Sequence, residues 1–150
     1  KDRKGNPLPD APGPRQLQVG DLVQVELTVG VAGLARSVGN VAIVDALPGG
    51  LEVENPRLAT SSAVLLEGDG ENGQAGPAAN RPTTGRADRT EFLDDRVVLF
   101  ASVHPGRQVF RYTLRATTAG QFAVPPVQAS CMYEPAVAAL GESGQLIIEH

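Results

Sequence analysis

The stretch Arg107–Ala116, R-Q-V-F-R-Y-T-L-R-A, decides the fold class. Phe110, Tyr112 and Leu114 alternate with Val109, Arg111, Thr113 and Arg115. Successive side chains of a strand point to opposite faces, so this period of two predicts a half-buried strand. Phe110, Tyr112 and Leu114 should face inward and the alternate set outward. The same rhythm recurs upstream. After Gly20-Asp21, the side chains of Val23, Val25, Leu27 and Val29 alternate with Gln24, Glu26 and Thr28.

Other segments complete an all-β pattern. Asn40–Leu47, N-V-A-I-V-D-A-L, is apolar on both faces and reads as a central strand. Pro48-Gly49-Gly50 signals a turn, and Leu51–Glu54 a short strand. Arg96–Val103 is a strand closed by a turn at His104-Pro105-Gly106. Gln121–Val124, Val127–Tyr133 and Leu146–Glu149 follow. About seven or eight short strands at regular spacing predict an antiparallel β-sandwich. Residues 1–16 read as a linker or a loosely held leading segment, and residues 17–150 as a single domain. Ser61–Leu66 fits a short helix or a strand equally. Gly68–Arg89 is so rich in Gly, Asn, Pro and charge that a long mobile loop is expected over about 57–90.

The totals bound the function. A chain of 150 residues can bury a real core, and with 4% aromatics and no Trp that core must be mostly aliphatic. Seventeen glycines and twelve prolines favour turns and short strands over long helices. A net charge of −4 argues against nucleic acid, which needs clustered Lys and Arg. No apolar run approaches the ~20 residues that cross a bilayer, so direct membrane insertion is not expected. The chain opens K-D-R-K-G-N-P without a secretory signal and reads as a piece of a longer protein. A single cysteine, Cys131, excludes an internal disulfide and a cysteine-based zinc cluster.

No residue group suggests catalysis, a cofactor or a metal. His104 precedes Pro-Gly and reads as a solvated turn residue rather than a base oriented by a carboxylate. Glu67, Asp69 and Glu71 alternate as calcium-loop ligands do, but the position for a bidentate Glu holds Asn80. Asp94 and Asp95 are adjacent and would face opposite ways on a strand, with Arg96 as a natural ion-pair partner. Arg107, Arg111 and Arg115 form a basic stripe that is either a solvated face or a dock for an acidic neighbour. Asp45, inside an apolar strand, needs hydrogen-bond partners, and the backbone N–H groups of the following turn are expected to serve. Asp45, Pro48 and Gly49 therefore read as a structural turn. Cys131 should share a face with Val127, Ala129 and Tyr133, as a buried thiol.

That leaves Val124–Pro135, V-P-P-V-Q-A-S-C-M-Y-E-P. Met132 and Tyr133 stand near a strand end. Met adapts to partner shapes and Tyr is enriched at interfaces, so the pair suits a contact surface; alternatively both fill the domain's own core.

Two stretches resemble the C-terminal macroglobulin-like, receptor-binding-like domain of bacterial alpha-2-macroglobulins. One runs from Gly20-Asp21 through V-A-I-V-D-A-L-P-G-G-L-E-V-E-N-P at Val41–Pro56. The other runs from E-F-L-D-D-R-V at Glu91–Val97 through Phe110–Ala116 and G-Q-F-A-V-P-P at Gly120–Pro126 to M-Y-E-P at Met132–Pro135. The resemblance implies a macroglobulin- or immunoglobulin-like sandwich at the end of a periplasmic, broad-spectrum protease trap, often lipid-anchored to the inner membrane. It implies partners: the thioester-type domain of the same parent chain, and target proteases through the parent. It also implies that Met132 and Tyr133 form a lock loop shielding the thioester from water. The family thioester motif Cys-x-Glu-Gln is not matched at Cys131, where Cys-Met-Tyr-Glu stands, so this chain alone is expected to inhibit nothing. A monomer is expected. The first half also resembles immunoglobulin-like repeats of bacterial adhesins, sharing G-D-x-V-x-V-x-L-x-V and D-x-L-P-x-G. That reading makes the domain a spacer or adhesive module.

Overall fold

Every element of this computed structural model, which describes residues 14–33, 35–54 and 83–150, is a β-strand. The strands are β1 (Arg15–Gln18), β2 (Leu22–Val31), β3 (Val38–Ala46), β4 (Leu51–Val53), β5 (Thr83–Thr84) and β6 (Arg89–Phe92). They continue with β7 (Arg96–Val103), β8 (Gly106–Ala116), β9 (Gly120–Val124), β10 (Gln128–Cys131), β11 (Ala138–Leu140) and β12 (Gly144–Glu149).

One layer is a five-stranded antiparallel sheet in the order β11-β10-β3-β7-β6. β3 lies at its centre, as its two apolar faces require. The opposing strands run β2-β8-β4, with β5 pairing β8, and a further sheet runs β1-β12-β9. These last two sheets are knitted at a corner, where the Gly20 N–H donates to the Ala116 carbonyl and the Ala116 N–H to that of Asp21. Two pairings are parallel, β1 with β12 and β5 with β8. The chain is thus a β-sandwich, antiparallel in its main ladders.

The alternating residues build one core. Val41 and Ile43 of β3 and Val97, Leu99, Ala101 and Val103 of β7 join a cluster with Phe110, Tyr112, Leu114 and Ala116 of β8. Leu17, Leu146 and Ile148 extend it. Val109 departs from expectation: it is buried although it alternates with the core set, at the point where Thr84 of β5 pairs with it. Two of the three expected outward arginines pair with acidic residues from neighbouring strands. Arg111 reaches Glu26 of β2, and Arg115 reaches Glu54 just beyond β4. The Arg115 guanidinium holds the Glu54 carboxyl below the usual carboxylate range.

Of the loop expected over about 57–90, residues 57–82 lie outside the described residues. From Thr83 onward the chain already forms β5, and the Asp88 N–H donates to the Phe100 carbonyl before β6 begins. Ser61–Leu66 and the acidic run Glu67–Asp69–Glu71 lie outside the described residues.

Candidate docking loop

The end of β10 is one of the places where large side chains leave the sandwich. Val127 and Ala129 are half-buried and Cys131 is fully buried, so this face follows the expected alternation. The alternation then stops. β10 ends at Cys131, and Tyr133 does not continue the buried face: it is 76% exposed, and Met132 is 56% exposed. The strand expected to run to Tyr133 ends two residues early because the backbone turns there. The Cys131 N–H donates to the Val137 carbonyl, and the Val137 N–H donates to that of Glu134. Residues 131–137 therefore close a compact turn with Met132 and Tyr133 at its outer side.

The turn is tied to β3 and to the connection before it. The Met132 N–H donates to the Asn40 carbonyl at 2.9 Å. The Cys131 thiol donates to the Gly39 carbonyl at 3.4 Å. One Arg36 nitrogen meets both carboxylate oxygens of Glu134, at 2.7 and 2.8 Å. On the other side, the Ser37 hydroxyl lies 2.6 Å from His104 Nδ1. His104 is exposed, and its backbone N–H donates to the buried Gln108 side chain. Among the described residues, no group of His, Cys, Asp and Glu could hold a metal ion.

Asp45 behaves differently from expectation. It is a core-facing residue of β3, only 8% exposed. Its carboxylate accepts a hydrogen bond from the Tyr112 hydroxyl, which crosses the interior from β8. Two N–H groups flanking the next turn, where partners were expected, are engaged elsewhere: the Leu47 N–H donates to the Asp95 carbonyl and that of Leu51 to Pro48. That last bond closes the turn at buried Pro48 and exposed Gly49. Burial pushes the Asp45 carboxyl up, and the Tyr112 hydrogen bond partly offsets this. Burial, then the Asp45 contact, push the Tyr112 hydroxyl up as well. Spacing could not reveal this pair, because the partners are 67 residues apart. Asp94 and Asp95 occupy the β6–β7 turn, and Asp95 pairs with Arg96.

Comparison with known proteins adds to this geometry. The family model for the bacterial alpha-2-macroglobulin MG10 domain matches residues 1–136. An alpha-2-macroglobulin of Escherichia coli K12 is 37% identical over 133 residues, which are 88% of this chain and 8% of that protein. A Yersinia pestis alpha-2-macroglobulin homolog is 29% identical over 93% of this chain and 7% of its own length. Among solved structures, a Salmonella alpha-2-macroglobulin reacted with methylamine superposes with a TM-score of 0.66 at 32% identity, over 89% of this chain and 8% of that one. A native Escherichia coli fragment spanning domain MG7 to the C-terminus gives the same TM-score of 0.66 at 32% identity, over 89% of this chain and 20% of that one. The chain thus spans less than a tenth of its full-length relatives' length.

Proposed function

The chain belongs to the bacterial alpha-2-macroglobulin MG10 domain family, and from that premise we propose that it is a non-catalytic docking domain at the C-terminal end of a bacterial protease trap. Met132 and Tyr133 are its contact residues. They seat on the thioester-type domain of the same parent chain and keep water from the thioester until protease cleavage separates the two domains. The parent works in the periplasm or outside the cell, and its targets are proteases. The domain itself carries no chemistry.

One observation carries this reading. Two large side chains stand out from a turn whose backbone is anchored through the N–H groups of Cys131, Met132 and Val137. Leaving large apolar surface in water forgoes about 1.5–3 kcal/mol per side chain, so a covering partner is favoured. The adhesin-repeat alternative rests on the first half of the chain alone, whereas the family match runs through residues 1–136.

The test is made in the full-length parent. Tyr133→Gly is expected to raise the rate at which methylamine consumes the thioester, without protease, by about tenfold or more, a tenfold change being ~1.4 kcal/mol. The stability of the 150-residue chain should change by less than about 0.5 kcal/mol, as for other exposed sites. An unchanged consumption rate would contradict the docking role.

A further inference from the structure

β3 is not a regular strand at the end that meets the Met-Tyr turn. Its register with β7 shifts between Val38 and Val41. Within that shift Asn40 has φ of 53°, and it is the only non-glycine residue at positive φ among the described residues. Asn tolerates this left-handed conformation better than most residues, and a β-branched side chain there is a strained outlier.

A bulge re-aims the groups beside it. In a regular strand, successive carbonyls point to opposite sides. Here the carbonyls of Gly39 and Asn40 both serve the end of β10 and the residue after it, the first taking the Cys131 thiol and the second the Met132 N–H. Val41 opposite Cys131 is the last regular pair of that ladder. The bulge thus sets the direction in which the chain leaves the sheet at Met132. On the far side of Tyr133, Arg36 holds the Glu134 carboxylate. Both anchors come from one short segment, residues 36–40, and they bracket the two exposed side chains.

Given the docking role of Met132 and Tyr133, we propose that Asn40 and Arg36 are the positioning residues of this loop. Asn40 fixes the exit direction through its backbone, and Arg36 holds the following residue, so that both side chains are presented before any partner arrives. Pre-organisation of this kind removes the ordering cost that a mobile loop would pay on docking. Neither residue touches the partner in this scheme.

Two measurements test it. The first follows amide exchange of Met132 in the 150-residue chain by NMR. Asn40→Gly keeps the left-handed backbone accessible and should leave Met132 protected. Asn40→Val should speed Met132 exchange by roughly tenfold or more, ~1.4 kcal/mol by conversion, while β7 and β8 amides stay protected. Unchanged Met132 protection in a folded Asn40→Val chain overturns the role of Asn40.

The second measures methylamine consumption in the full-length parent for Arg36→Glu, for Glu134→Arg, and for both together. Each single variant should raise consumption several-fold, and the charge-swapped pair should restore it. Singles without effect, or a swap without rescue, overturn the role of Arg36. This cycle still decides if Asn40→Val fails to fold. Failure of the docking role itself appears elsewhere: Tyr133→Gly would leave consumption unchanged while Met132 exchange still responded to Asn40.

Discussion

Replacing Gly50 by alanine is expected to destabilise the chain by about 3 kcal/mol, at or beyond the upper end for overpacked cores. Gly50 is buried, directly before β4. A methyl group placed on it would run into the Phe122 ring and the Ile148 side chain, and would lie 2.8 Å from the Thr118 carbonyl oxygen. The two side chains can shift only within a packed cluster. The carbonyl belongs to a backbone pinned in place, since the Gly50 carbonyl itself accepts the Thr117 N–H at 2.9 Å. Gly49 supplies the internal control. A methyl group there meets Phe122 at 3.5 Å, an ordinary contact, so Gly49→Ala should stay within about 0.5 kcal/mol of the parent chain. Urea denaturation of the two variants checks this. With slopes of about 1–3 kcal/mol per molar, Gly50→Ala should lower the midpoint by roughly 1 M or more. Equal midpoints for the two variants would mean that the sandwich corner relaxes freely.

Tyr112→Ala should cost about 3–5 kcal/mol, because it opens a cavity and orphans a buried carboxylate together. Tyr112 is 5% exposed and bridges the two layers through Asp45. Tyr112→Phe isolates the polar part and should cost about 1–3 kcal/mol. The pH dependence separates this from packing. The folded-state pKa of Asp45 is raised, so its protonated form is the one the fold favours. The stability tied to Asp45 is therefore fully present below its unfolded value, near 3.9, and is lost as pH rises through the folded value. Tyr112→Phe removes the one contact that lowers that pKa, so its penalty should grow from pH 4 towards pH 7. Asp45→Asn cannot titrate, and the added cost of Tyr112→Phe in that background should be flat with pH. Denaturation curves across this range, taken as a double-mutant cycle, read the difference. A pH-independent penalty for Tyr112→Phe would mean that Asp45 stays ionised without Tyr112's help.

Local sequence carried most of the architecture. The alternation in Arg107–Ala116 placed Phe110, Tyr112 and Leu114 in the core, and the doubly apolar Asn40–Leu47 lies in the centre of its sheet. Strands without alternation were invisible. All three residues of β11 are exposed, and β5 is two residues long, so neither leaves a pattern. The exposure of Met132 and Tyr133 was half legible. Their types fitted an interface or the domain's own core, and only the backbone turn after Cys131 reveals that both side chains stand outside that core. The Asn40 bulge and the Asp45–Tyr112 bridge depend on pairings between distant strands, which no local window contains.

The central claim is that Met132 and Tyr133 are presented for docking, and hydroxyl-radical footprinting tests it most directly. Met132 is the only methionine, and buried Tyr112 is an internal control for Tyr133. In the 150-residue chain, rapid modification of Met132 and Tyr133 is expected while Tyr112 stays protected. In the full-length parent, both should be protected until a protease cleaves it. Met132 and Tyr133 as slow as Tyr112 in the chain, or as fast in the intact parent as in the chain, would contradict the claim.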